Sequence, residues 1–253
     1  MDSTFSARLR PFGGIDANML RLTAMLLMLL DHLWAASIFP ENFWMTCVGR
    51  MAFPIFAFQI TEGFFHTHSR KQYALRLLIF ALLSEIPFDC FTSGVLFYPF
   101  DQNVLFTLLL GLAAISGLDH ARRERTPKAI LLGALAALGA WLLACITFVD
   151  YGGLGVLTVA AFYLLRGFRG AWLCQLGALI FLNMVLFQGQ ELPLTLLHHT
   201  FMLQQQGFAV LSLLPIWLYN GKKGVDNKIL QYSAYAFYPV HMLILYGLHL
   251  LSI

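Results

Sequence analysis

Met19–Phe39 reads MLRLTAMLLMLLDHLWAASIF. The run is long enough to cross a bilayer as a helix, which takes about 20 predominantly apolar residues. Asp31 and His32 sit side by side within it. An ionisable group at the bilayer midplane costs from about 3 to over 10 kcal/mol. Two adjacent ones in a spanning helix therefore point to proton chemistry or ion handling. The preceding segment is polar, and the run reads as an uncleaved signal anchor rather than a cleavable leader.

The rest of the chain agrees with that reading. Its 253 residues are 59% hydrophobic and only 11% charged, whereas soluble domains carry about 25% charged residues. Apolar segments at 19–39, 45–65, 73–90, 102–118, 129–149, 152–166, 171–189, 200–219 and 229–251 predict an all-α polytopic bundle of about nine spans. These segments leave no room for a soluble domain, so residues 1–253 form a single transmembrane domain. Lys and Arg fall in alternate connections: Arg8 and Arg10; Arg70, Lys71 and Arg76; Arg122, Arg123, Arg125 and Lys128; Arg166 and Arg169; Lys222, Lys223 and Lys228. The positive-inside rule then puts the N-terminus in the cytoplasm and the C-terminus outside. The net charge of +3 comes with no basic-aromatic stripe, which gives nucleic-acid binding no support. Cys47, Cys90, Cys145 and Cys174 are scattered in apolar contexts without metal-ligand spacing and read as buried thiols.

Orientation turns sequence position into depth. Asp31, His32, Arg50, Glu85, Asp89, Asn103, Thr107, Asp150, Tyr151 and His241 all fall in the outer half of the predicted membrane, and His198 and His199 precede the eighth span on that side. Asp31 and His32 point about 100° apart on a helix, so each needs a partner from another element. Arg50 is the natural partner for a carboxylate, because it keeps its proton and pairs bidentately. Glu85 and Asp89 share a face, as do Asn103 and Thr107; Tyr235, Tyr238 and His241 line a third. Pro54, Pro87 and Pro239 punctuate their spans. No Walker loop, GxSxG, HExxH or strand-borne GxGxxG is present, and DYGGLG at 150–155 reads as a helix-junction turn.

LTAMLLMLLDHL (22–33), GRMAFPIFAFQITEGFFHT (49–67) and YALRLLIFALLSEIPFD (73–89) together resemble the TraX family. NVLFTLLLG (103–111), DYGGLGVLT (150–158) and YAFYPVHMLIL (235–245) follow in the expected order. That family is named for a conjugal-transfer protein that N-acetylates pilin, and it is distantly similar to multispan membrane acyltransferases. The resemblance implies an acyltransferase of the bacterial cytoplasmic (inner) membrane that uses cytoplasmic acetyl-CoA or another acyl-CoA. Its acceptor would be an extracytoplasmic peptide N-terminus, amine or glycan. In that reading His32 is the general base, Asp31 and Arg50 shape the site, and Arg70, Lys71 and Arg76, or the loop from Arg122 to Lys128, meet the phosphates of CoA. The alternative from the residues alone is a proton-coupled transporter of a small solute, because intramembrane Asp, Glu and His also build proton relays.

Overall fold

The computed structural model describes residues 14–187, 189–196, 199–225 and 227–252. Arg8, Arg10 and His198 lie outside the described residues. The chain forms two compact units. As described, one comprises residues 14–56 and 165–227, the other residues 57–164 and 228–251.

In the first unit, α1 (Ala17–Ala35) starts at Asp16, whose carboxylate accepts from the Met19 N–H. Leu20, Ala24 and Met28 recur at four-residue spacing and are buried, while Met19, Leu22 and Leu26 are exposed. The start of α1 is tied to residues 218–225: Asn220 N–H donates to the Ile15 carbonyl, and the Asn18 amide to that of Val225. The predicted second span is broken. α2 (Trp44–Gly49) ends at Arg50, and α3 (Ala52–His66) begins after Met51. Pro54 does not cause that break. It sits in the first turn of α3, where its missing N–H leaves no helical bond unmade. α8 (Ala171–Ile180) loosens into π-helix over Phe181–Leu186.

The predicted eighth span, 200–219, is corrected by the structure. It begins in β2 (His199–Gln204), which pairs antiparallel with β1 (Glu191–Leu196), with Glu191 opposite Gln204. A 3-10 segment (Gln205–Ser212) and the short α9 (Leu213–Leu218) follow. The alternation of Leu192, Leu194 and Leu196 with Pro193 and Thr195 has the period of a strand, not a helix.

The second unit holds α4 (Arg70–Ser93), α5 (Val104–Glu124), α6 (Pro127–Ile146), α7 (Gly152–Leu164) and α10 (Lys228–Ser252). Each start has a sequence cause: Ser69, Asn103 and Thr126 cap α4, α5 and α6 by accepting from backbone N–H groups, and Pro127 opens α6. α4 runs through Pro87 and stops at Gly94, which has φ +69°. The 150–155 junction is the expected turn, with Tyr151 at φ +63° and Gly152 at φ +50°. Ala114, Ala140, Ala144, Val149 and Val156 form a buried cluster of small side chains between α5, α6 and α7.

Three described helices are long and apolar enough to cross a membrane: Val104–Glu124, Pro127–Ile146 and Tyr232–Leu251. α1 and α4 have the length, but Arg21, Asp31 and His32 in one and Arg76, Glu85 and Asp89 in the other lower their apolarity. The outward stripes are hydrocarbon throughout. Leu75, Leu78, Ile79, Leu82, Leu83 and Ile86 are exposed on α4, and Ile130, Leu131, Leu135, Leu138 and Leu142 on α6. Exposed apolar stripes of this length are expected of lipid-facing helices and not of a soluble surface.

α5 and α6 approach at glycines, as membrane helices do where small residues let backbones meet. A Cβ on Gly133 would lie 2.5 Å from the Gly117 carbonyl oxygen and 2.7 Å from the Ala121 Cβ. Gly133→Val is therefore expected to destabilise the protein by about 1–3 kcal/mol through overpacking. Gly139→Ala, where nothing lies within 4 Å of the added carbon, should be neutral or mildly stabilising. Thermal unfolding in detergent compares the two.

Candidate functional site

The first unit gathers a polar cluster around Asp31. The Arg50 Nη2 donates to both carboxylate oxygens of Asp31, at 2.7 and 2.6 Å. The Thr46 hydroxyl donates to Asp31 Oδ1 at 2.6 Å, and the Gln205 amide donates in turn to the Thr46 hydroxyl at 2.5 Å. Thr46 is fully buried, Gln205 nearly so, and the Asp31 and Arg50 side chains are only 15% and 24% exposed. The α2–α3 break is what turns Arg50 toward α1, and Gly49 lets α2 close on Asp31. A Cβ at position 49 would lie within 2.9 Å of the Asp31 Cγ. The sequence pairing of Asp31 with Arg50 is thus found, and Thr46 and Gln205 are additions to it.

His32 is half-buried and lies in the last turn of α1, because the helix ends at Ala35 with Ala36 as its cap. Asp31 and His32 thus stand near the C-terminal end of α1. The chain beyond is held by the Trp34 indole, which donates to the Pro40 carbonyl at 3.1 Å and meets the Phe43 ring edge-on. Both Asp31 oxygens are committed to donors.

The second unit holds the remaining predicted residues. Asn103 bridges α4 and α5: its side-chain amide donates to Glu85 and, at 2.8 Å, to the Ala81 carbonyl, while its Oδ1 caps α5. It is a cap and an interhelical clamp rather than a member of a helical face. Thr107 donates to the backbone carbonyl of Asp150, so the main chain of Asp150 closes that contact. Asp89 Oδ2 accepts from the Tyr98 N–H at 2.8 Å. The Glu85 Oε1, Asp89 Oδ1 and Ser84 Oγ are buried without a hydrogen-bond partner. In the loop before α5, burial first and the Asp89 charge second hold the Asp101 carboxyl above the usual carboxylate range.

Tyr238 and His241 are both buried on α10, with ring centroids 6.0 Å apart, and the Tyr238 hydroxyl bonds to the Val104 backbone. The His241 ring stacks on Phe237, and its Nδ1 is 2.7 Å from the Phe237 carbonyl. A donor role there leaves the lone pair on Nε2. Tyr235 stacks on Phe80 of α4. Tyr151 serves the turn before α7.

Of the three basic residues assigned to a CoA phosphate, Lys71 is exposed, and the Arg76 guanidinium lies 5.9 Å from the Tyr73 ring with a buried Nε. Arg70 is engaged by the Asp119 carboxylate. The Asp119 carboxylate, 5% exposed, receives Arg70 and Arg123 at 2.8 Å each and the Tyr163 hydroxyl at 3.2 Å. The Arg70 guanidinium also lies 3.8 Å above the Phe64 ring. The signal was an acid four residues before Arg123, on the same face of one helix.

Helices with hydrocarbon outer faces and paired charges inside define a helical protein of the membrane-spanning class. The sequence matches the TraX protein family over residues 16–249, and the chain belongs to that family. It is 32% identical over 248 residues to the probable fimbrial assembly protein FimC, serogroup H1, of Dichelobacter nodosus, covering 91% of this chain and 94% of that one. No solved structure matches it.

Proposed function

We propose that this TraX-family protein is an integral, polytopic acyltransferase of the bacterial inner membrane with a cytoplasmic N-terminus. It moves an acetyl or other acyl group from cytoplasmic acyl-CoA to an extracytoplasmic amine or hydroxyl. The fimbrial role in the name of its relative favours a pilin-type peptide amine as acceptor. The observation that carries the mechanism is the commitment of both Asp31 oxygens to Arg50 and Thr46, which leaves His32 to take the proton. The acceptor nitrogen attacks the thioester carbonyl as His32 removes its proton. The C–S bond then breaks, and the imidazolium returns the proton to the departing thiolate. Arg50 faces the developing oxyanion with a fixed positive charge.

Proton-coupled transport remains the second reading. It draws support from the unpartnered buried oxygens of Ser84, Glu85 and Asp89 along α4. Ligand-dependent stability separates the two. At one hundred times its dissociation constant, acetyl-CoA should stabilise the acyltransferase by about 2.7 kcal/mol. A thermal midpoint that does not move over a wide acetyl-CoA range, together with proton flux into liposomes, would favour transport.

A further inference from the structure

Two carboxyl groups on α4 each have one oxygen held and the other orphaned. Glu85 Oε2 accepts from the Asn103 side-chain amide, and Asp89 Oδ2 accepts from the Tyr98 N–H at 2.8 Å. Glu85 Oε1 and Asp89 Oδ1 are buried without a hydrogen-bond partner, and Asp89 as a whole is 1% exposed. The two residues stand one helical turn apart on a shared face. None of the salt bridges among the described residues reaches either of them. Their surroundings add negative charge. The Asp89 and Asp101 carboxyls both act on Glu85, and Asp150, Glu85 and Asp101 all act on the Tyr238 hydroxyl. That hydroxyl bonds to the Val104 backbone, and His241, further along the same helix, turns its Nδ1 to the Phe237 carbonyl.

Two ionised carboxylates in this position would carry like charges without a compensating cation and would leave two acceptors unmet, both costly when buried. One proton removes both costs. A protonated carboxyl is a hydrogen-bond donor, so a proton on one orphaned oxygen makes the other its acceptor. Neighbouring buried acids keep a single proton because they do not readily both ionise. We infer that Glu85 and Asp89 hold one proton between Oε1 and Oδ1, taken from solvent, as a proton-binding site apart from the transfer centre. Loss of that proton sets two negative charges against each other behind the contacts to Tyr98 and Asn103. The pair therefore ties the 94–103 loop and the start of α5 to proton occupancy. The inference rests on neither reading of function, because His32 belongs to the first unit.

Infrared difference spectra of the full chain in nanodiscs at neutral pH test it, with each variant subtracted from the wild type. A protonated carboxyl has a carbonyl band that an ionised one lacks. Glu85→Gln and Asp89→Asn should each remove the same single band, because either change supplies an amide N–H to the remaining carboxylate and releases the proton. Glu85→Gln/Asp89→Asn should remove no more than one change alone. Asp101→Asn, His241→Gln and His32→Ala should keep the band. Each amide keeps a donor for the partner oxygen, so the variants should fold, and thermal midpoints are measured alongside. Those midpoints give a second reading. The native pair holds a proton that the unfolded chain releases near pH 4, so the wild-type midpoint should fall as the pH rises from about 5 until the pair ionises. The fall should be smaller in Glu85→Gln. A band lost with only one of the two acids, two bands lost in the double variant, a band that goes with Asp101, or no band lost at all overturns the inference.

Discussion

Replacing His32 with alanine should lower acyl transfer by at least 10²-fold and by as much as about 10⁴-fold, the range of general acid–base contributions. The geometry gives this prediction its sharpness. Asp31 is already engaged in an ion pair, with Arg50 donating to both of its oxygens and Thr46 to Oδ1. His32 is half-buried in the last turn of α1, so truncation removes little packing and the variant should fold. Acetyl-CoA should still raise its thermal midpoint, since the imidazole acts on the acceptor's proton and not on the donor's phosphates. A lost rate with retained donor binding is the signature of a group used in the transition state. A His32→Ala protein that transfers at the wild-type rate would remove the imidazole from the mechanism.

The second large effect is on stability. Removing one partner from a buried ion pair costs about 3–5 kcal/mol, because the other charge is stranded. The Asp31–Arg50 pair is 15% and 24% exposed, so solvent screening reduces the expected loss to about 2–3 kcal/mol for Asp31→Ala or Arg50→Ala. Asp31→Ala also leaves the Thr46 hydroxyl without its acceptor, while Gln205 still donates to that same oxygen. The double variant Asp31→Ala/Arg50→Ala strands no charge and should lose less than the sum of the single changes. Unfolding of the four proteins in one detergent reads this directly. Strict additivity would mean that the two side chains stabilise the fold independently.

The Asp31–Arg50 contact was legible in the sequence for a simple reason. A carboxylate in an apolar helix must find a cation, and the nearest downstream arginine stood in the next apolar run. Asn103 was legible as a polar position spaced four from Thr107 but not as a cap, although its place before the apolar run Val104–Gly111 is a capping signal. Asp119 was hidden inside a basic run, where Lys and Arg outnumber the acid that pairs with Arg70 and Arg123. The hairpin at 191–204 was missed because apolar content was weighed over a span-length window, which averages away a period of two. The place of His32 at a helix end was not legible either. The apolar run continues to Phe39, and composition alone gives no stop at Ala35.

The most direct measurement places the purified protein in proteoliposomes, with acetyl-labelled acetyl-CoA on one side. On the other side is a peptide with a free amino terminus or, in a parallel sample, a glycan. The account predicts labelled acetyl groups on the acceptor with the wild-type protein and a loss of at least 10²-fold with His32→Ala. No label on either acceptor from wild-type protein that binds acetyl-CoA would contradict it.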